Sequence, residues 1–254
     1  MSISKTIKAK LLLQRAISFV AFSLLYSGYW WFLFIIKSYR ILKIKEIRKQ
    51  FKSIMEKTSD PLLICSNHLT YIDSVLLTLA FSSCRDYLIN FHTMAWNFPK
   101  TTHMKKNFFY KFISYIGKCI FIDVGAPKTI NNQPIKIAKY LLLKGEYTML
   151  FPEGHRGHEG RVDTQNFTYG VGKLIHEVPN IRVLCVYLRG SSQKYSSNFP
   201  NKRDKFYCKL KLLEPGFKDA IINNNHSELR NIRGISKHII QNLVGMEQEY
   251  FAGI

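Results

Sequence analysis

Residues 65–73 read Cys65-Ser66-Asn67-His68-Leu69-Thr70-Tyr71-Ile72-Asp73. A short apolar run, 61–65, ends there in small and polar residues, and a second apolar run starts at Asp73. This is the pattern of a strand emptying into a loop that starts a helix, the repeating step of an α/β fold. Ligands of open α/β sheets sit at the carboxyl ends of strands. A histidine delivered to that edge, with a carboxylate five positions on, is a candidate general base with an orienting partner. Thr70 to Asp73 also fits a capping box, with Thr70 as N-cap and Asp73 at N3. The two roles are compatible, since a carboxylate held in a first helical turn is rigid and can accept a hydrogen bond from an imidazole.

The same alternation continues outward. The pattern predicts strands at 62–65, 87–91, 119–122, 147–151, 182–188 and 205–213. Helices are predicted at 71–81, 108–116, 131–143 and 170–177. A last helix, 227–250, carries Leu229, Ile232, Ile235, Ile239, Leu243, Met246 and Tyr250 on one stripe. Such an order predicts an α/β fold with a mainly parallel sheet flanked by helices.

Upstream, residues 16–36 form 21 uncharged positions rich in Phe and Trp. As a helix they span roughly 31 Å, about the thickness of the hydrocarbon core. The run is too long for a buried core helix and lacks the small-x-small exit of a cleaved signal peptide. A membrane-inserted helix is expected. Lys37, Arg40, Lys43 and Lys45 follow it, which places that side in the cytoplasm. Lys5, Lys8, Lys10 and Arg15 precede it, a pattern that also suits a re-entrant or monotopic anchor. In 41–57, Ile44, Ile47, Phe51 and Ile54 recur at helical spacing among basic residues. This basic amphipathic helix fits headgroup contact and an ordinary domain surface equally. The expected division is 1–57 as membrane-anchoring helices and 58–254 as the α/β domain.

The chain has 254 residues and a net charge of +20, from 37 Lys and Arg against 17 Asp and Glu. That excess calls for an anionic partner: a membrane surface, a nucleic acid or a phosphorylated substrate. The five cysteines include no C-x-x-C pair and read as reduced thiols of a cytoplasmic domain. His155 and His158 lack further well-spaced ligands, so no metal is expected. No P-loop, dinucleotide fingerprint or G-x-S-x-G occurs.

A second constellation, Leu150-Phe151-Pro152-Glu153-Gly154-His155-Arg156-Gly157, ends the strand at 147–151. Turn formation accounts for Pro152 and Gly154. It leaves Glu153 unexplained, and Arg156 suits an anion such as phosphate. Asn67-His68 with Asp73, followed by Phe151-Pro152-Glu153-Gly154 and Arg156, resembles the glycerolipid acyltransferase family that includes the 1-acylglycerol-3-phosphate acyltransferases. Its signatures are N-H-x4-D and F-P-E-G-T-R-S. The resemblance implies a membrane-associated α/β enzyme that moves a fatty acyl group from acyl-CoA or acyl carrier protein to a lipid hydroxyl. It makes His68 the base, Asp73 its partner, and Asn67, Glu153, Gly154 and Arg156 substrate-binding residues. No resident cofactor is implied.

Three departures bear on the acceptor. His155 and Gly157 replace the Thr and Ser that flank the loop arginine in the family pattern. In the segment Gly117-Lys118-Cys119-Ile120-Phe121-Ile122-Asp123, Val124 stands where the family has an arginine for the acceptor phosphate. A later strand that usually carries a proline reads Val183-Leu184-Cys185-Val186-Tyr187. Lys118, Lys128 and Arg161 are the cations available to compensate. The expected acceptor is a lysophospholipid, 1-acylglycerol 3-phosphate first and a lyso-aminolipid second. A non-catalytic lipid-binding protein would not need His68, Asp73 and Glu153 together. A nucleic-acid module is supported only by the charge.

Overall fold

The apolar N-terminal segment forms one helix, α1 (Lys5–Trp30), prolonged by a π-helical stretch over Trp31–Ile36. Ser4 caps it by accepting a hydrogen bond from the Ile7 N–H. The computed structural model describes residues 3–100, 108–122, 133–157, 159–222 and 227–253. Along α1, Leu11, Gln14, Ser18, Phe22 and Tyr26 are buried at three- and four-residue spacing. The Gln14 amide donates to the carbonyls of Tyr115 and Cys119, and the Tyr26 hydroxyl to that of Ser82. Leu12, Leu13, Val20 and Leu24 remain exposed. By length and composition α1 can cross a membrane, yet one face lies against the rest of the protein.

Next come β1 (Arg40–Ile41), α2 (Ile44–Lys57), β2 (Leu62–Ser66), α3 (Asp73–Phe81), α4 (Cys84–Ile89) and β3 (Trp96–Asn97). Then follow α5 (Phe108–Ile116), α6 (Gln133–Leu143), β4 (Thr148–Leu150), α7 (Gly170–Glu177) and β5 (Arg182–Gly190). The order ends with β6 (Lys205–Leu213), α8 (Phe217–Ile222) and α9 (Glu228–Ala252). The sheet order is β1-β6-β5-β2-β4-β3, parallel at every pairing except β5 with β6. The expected α/β architecture, a mainly parallel sheet between helices, is therefore the observed one.

Successive residues of β2 and β5 point to opposite faces, and both faces are buried. Leu62, Ile64, Leu184 and Val186 join Phe22, Tyr26, Phe51 and Phe81 on one side. Leu63, Cys65, Val183 and Cys185 meet Leu174, Ile235, Ile239 and Leu243 on the other. Helices α1 and α2, expected as a separate region over 1–57, thus share a core with the sheet. Phe51 of α2 stacks on Phe81 of α3 with centroids 4.6 Å apart. The buried Arg182 side chain donates to the Ile54 and Thr58 carbonyls at the end of α2.

Three local expectations are corrected. Residues 87–91, predicted as a strand, belong to α4 and a 3-10 turn at Phe91–Thr93. The cause is a capping box, in which Ser83 and Asp86 exchange side-chain and backbone hydrogen bonds. Among the described residues the predicted strand 119–122 makes single bridges, Asn97 with Cys119 and Lys100 with Ile122. Lys118, at φ 55°, turns the chain immediately before it. Leu229 is exposed and lies off the buried stripe of α9.

Lys118 is also corrected as a substrate cation. It is 0% exposed, and its ammonium donates to Glu146 (2.7 Å) and to the carbonyls of Met94 and Phe91. Glu146 further accepts from the Trp96 indole (2.9 Å) and Arg15 (2.6 Å), tying α1 to β3 and β4. Removing one partner of a buried pair strands the other. Glu146→Ala is expected to destabilise the protein by about 3–5 kcal/mol, and the double variant Glu146→Met, Lys118→Met by much less. Urea unfolding followed by tryptophan fluorescence checks both.

Candidate functional site

Strands β2 and β4 are adjacent and parallel, with Cys65 opposite Leu150. The loops that follow them therefore leave the sheet side by side, at the carboxyl edge where ligands of such sheets bind. The first delivers His68 and the second Glu153, Gly154 and Arg156.

The Asp73 carboxylate is buried at the start of α3. It accepts hydrogen bonds from the Leu69 N–H (2.7 Å), the Thr70 N–H (2.8 Å) and the Thr70 hydroxyl (2.5 Å). The expected capping box is corrected: Ile72, not Thr70, is the N-cap of α3 and Asp73 is its first residue, and the Thr70 hydroxyl donates to the Asp73 carboxylate rather than accepting a helix N–H. The same carboxylate lies 3.0 Å from His68 Nδ1. Assigned from this acceptor, the Nδ1–H tautomer leaves the Nε2 lone pair free, the form a general base requires. Phe151 stacks on the imidazole at 4.2 Å and fixes its plane. The His68 side chain retains 21% exposure, against 4% for Asp73.

Asn67 is buried and extends the pairing of β2 with β5. Its amide donates to the Leu188 carbonyl, and its oxygen accepts from the Leu188 N–H. It acts on His68 by fixing the backbone just before it. Glu153 is 1% exposed and clasps the two loops. One of its oxygens accepts from the His68 N–H (2.9 Å), the other from the Asp163 N–H (3.0 Å). The Gly157 N–H returns a bond to the His68 carbonyl (3.1 Å). Burial pushes the Glu153 carboxyl up to about 7, against the lowering effect of those two N–H donors. Gly154 takes φ 69°, and a Cβ there would run into Thr168.

Arg156 lies over the Tyr71 ring at 3.9 Å. Its Nη1 donates to the Ser197 carbonyl (3.2 Å) and to Asn198 Oδ1 (3.0 Å). Nε and Nη2 make no hydrogen bond among the described residues, which leaves an edge suited to an anion. The loop after β5 also carries the Asn198 carbonyl, which accepts from the Tyr71 N–H, and the Ser197 N–H, which donates to Leu69. Sequence reasoning missed this third loop, although its place after a strand's carboxyl end was the available signal. Phe199 next to it meets the Phe32 ring and the Lys37 ammonium at the end of α1.

Arg161 pairs with Glu247 of α9 (3.1 Å) and sits over Phe251. Lys128 and Val124 fall outside the described residues. His155 bridges the Glu153 carbonyl and the Asp163 carboxylate. Burial opposes ionisation of Asp163, but N–H donors of Asn166 and Gln165 with His155 bring it down to about 2. No group of three potential metal ligands occurs among the described residues. A cavity of 420 Å³ lined by Arg48, Lys52, Phe81, Asn90 and His92 adjoins the far end of α3, away from His68.

The pH dependence of the clasp follows from its raised carboxyl. Because the folded value of about 7 exceeds that of the unfolded chain, stability is greatest below the unfolded value and declines as pH rises through the folded one. Glu153→Gln cannot titrate and turns an amide NH₂ toward a backbone N–H. It is expected to be less stable than wild type, with a gap that narrows between about pH 5 and pH 8. Thermal unfolding across that range checks it.

A protein-family model described as Acyltransferase matches residues 43–189, more than half the chain, which includes His68, Asp73, Glu153 and Arg156 but not the Ser197–Asn198 loop. No curated protein matches the chain. The chain belongs to the glycerolipid acyltransferase family and is an enzyme of acyl transfer to lipid.

Proposed function

We propose that this acyltransferase is membrane-bound, with its active domain on the cytoplasmic face. It moves a fatty acyl group from acyl-CoA or acyl carrier protein to a lysophospholipid hydroxyl, with 1-acylglycerol 3-phosphate as the leading acceptor. The observation that carries the reading is His68, whose Nδ1 lies 3.0 Å from the Asp73 carboxylate and whose backbone and ring are held by Glu153 and Phe151 of the second motif.

In this mechanism Nε2 removes the proton of the acceptor hydroxyl as its oxygen attacks the thioester carbonyl. The Asp73 carboxylate, 3.0 Å away, stabilises the imidazolium. Collapse of the tetrahedral intermediate forms the ester and breaks the carbon–sulfur bond, and the imidazolium returns its proton to the departing thiolate. The thioester is already activated, so the step needs no resident cofactor. The free edge of Arg156 takes the acceptor phosphate. Glu153, Asn67 and Gly154 serve the substrate indirectly, by holding the loops that carry His68 and Arg156.

A second acceptor class, a lyso-aminolipid, is favoured by one observation. Lys118, a candidate replacement for the arginine absent at position 124, is buried on Glu146, which leaves fewer cations for a terminal phosphate. Purified enzyme assayed with both donors and a panel of lyso-lipids decides between the acceptors. His68→Ala is expected to lower kcat by about 10²–10⁴-fold, and unchanged turnover would refute the mechanism. Arg156→Lys is expected to raise KM for a phosphate-bearing acceptor more than it lowers kcat, because a point charge replaces a planar fork.

A further inference from the structure

Helix α5 carries the sequence Phe108-Phe109-Tyr110-Lys111-Phe112-Ile113-Ser114-Tyr115-Ile116. Ser114 and Ile116 are buried. The helix is fastened to α1, whose Gln14 amide and Ser18 hydroxyl both donate to the Tyr115 carbonyl. Phe108, Tyr110 and Phe112 are 83%, 56% and 50% exposed. Aromatic rings left so open on the helix that flanks α1 enlarge its exposed apolar face of Leu13, Ile17, Val20 and Leu24. Apolar patches of this kind mark an interaction surface.

We propose that α5 is a second membrane-seated helix. With the outer face of α1 it sinks into one leaflet of an anionic bilayer, holding the enzyme monotopically. A bilayer fits better than a second copy because Lys5, Lys8, Lys10 and Lys111 accompany these two helices. They would repel across a self-interface but meet anionic headgroups favourably. Exposed Trp30 and Trp31 mark the far end of α1, the place of aromatic residues at a membrane interface. Crossing is opposed by the inner face of α1. From Leu11 to Tyr26 it is covered by the domain, and Gln14 and Arg15 are bonded to polar groups there. A span would draw those groups into hydrocarbon.

The proposal extends the membrane reading of α1, and its readout is independent of acyl transfer. The full chain carrying Trp30→Phe, Trp31→Phe and Phe112→Trp has one reporter on α5, since Trp96 is buried at 0% exposure. It is mixed with phosphatidylcholine–phosphatidylglycerol vesicles whose acyl chains are brominated or plain. A ring seated ~5–10 Å deep is expected to lose roughly half its emission to bromine. Phe108→Asp with Phe112→Asp is expected to weaken co-sedimentation with these vesicles, while Leu229→Asp, on the other side of the sheet, leaves it unchanged. Circular dichroism confirms that each variant is folded. An unquenched residue 112 beside quenched Trp30 and Trp31 in the parent overturns the role of α5 alone. Absence of quenching in both overturns the membrane reading of α1 as well. A dimer with residue 112 unquenched overturns the proposal in favour of self-association.

Discussion

The Glu153 carboxylate, buried between two backbone N–H groups, is the constraint on which the site's geometry depends. It joins loops whose motif residues stand 85 positions apart in the chain. The burial of a carboxylate is unfavourable unless its oxygens are hydrogen-bonded, and here each has an N–H donor. The clasp is reciprocated by Gly157, whose N–H bonds the carbonyl of the same histidine. The second motif therefore holds His68 through its backbone by Glu153 and Gly157 and through its imidazole by Phe151, while Asp73 of His68's own motif holds Nδ1. For the base proposed here such preorganisation is a gain, because its position does not have to be found at the moment of reaction.

The long separation between the two motifs follows from the sheet. Neighbouring parallel strands cannot be joined by a tight turn, and the crossover needs a dozen or more residues. Here β2 and β4 are neighbours, but the chain between them also builds α3, α4, β3, α5 and α6. The structure closes that excursion with the Lys118–Glu146 pair, which sits before β4 and pins α1, β3 and the turn after α5 to one buried carboxylate.

The periodic elements were legible because their faces repeat. Residues 170–177 and 205–213 coincide with α7 and β6, and the His68 loop falls where the end of the apolar run at Cys65 puts it. What was illegible depended on partners distant in sequence. Glu153 reads as a substrate contact, yet its buried oxygens hold backbone. Lys118 reads as a surface cation, because nothing near it in the chain announces Glu146 or the Phe91 and Met94 carbonyls. Arg156 is named by its motif, whereas Ser197 and Asn198, which orient it, lie in a loop with no periodicity. The error at 87–91 differs in kind. Its apolar run allowed a strand, and the Ser83-x-x-Asp86 cap was in plain view.

The departures at His155 and Gly157 also gain a physical meaning. A Cβ at residue 157 would collide with the Arg161 carbonyl and press toward Glu153, so the serine of the family pattern does not fit this loop. The histidine at 155 bonds the Glu153 carbonyl and Asp163, and Asp163 in turn supplies the second N–H of the clasp. The two replacements thus act on one buried carboxylate: His155 and Asp163 tighten the loop around Glu153, and Gly157 provides the room that tightening requires. The acceptor's identity must then be sought in the groups that reach beyond this brace, the free edge of Arg156 and the loop after β5, which contacts both Arg156 and the end of α1.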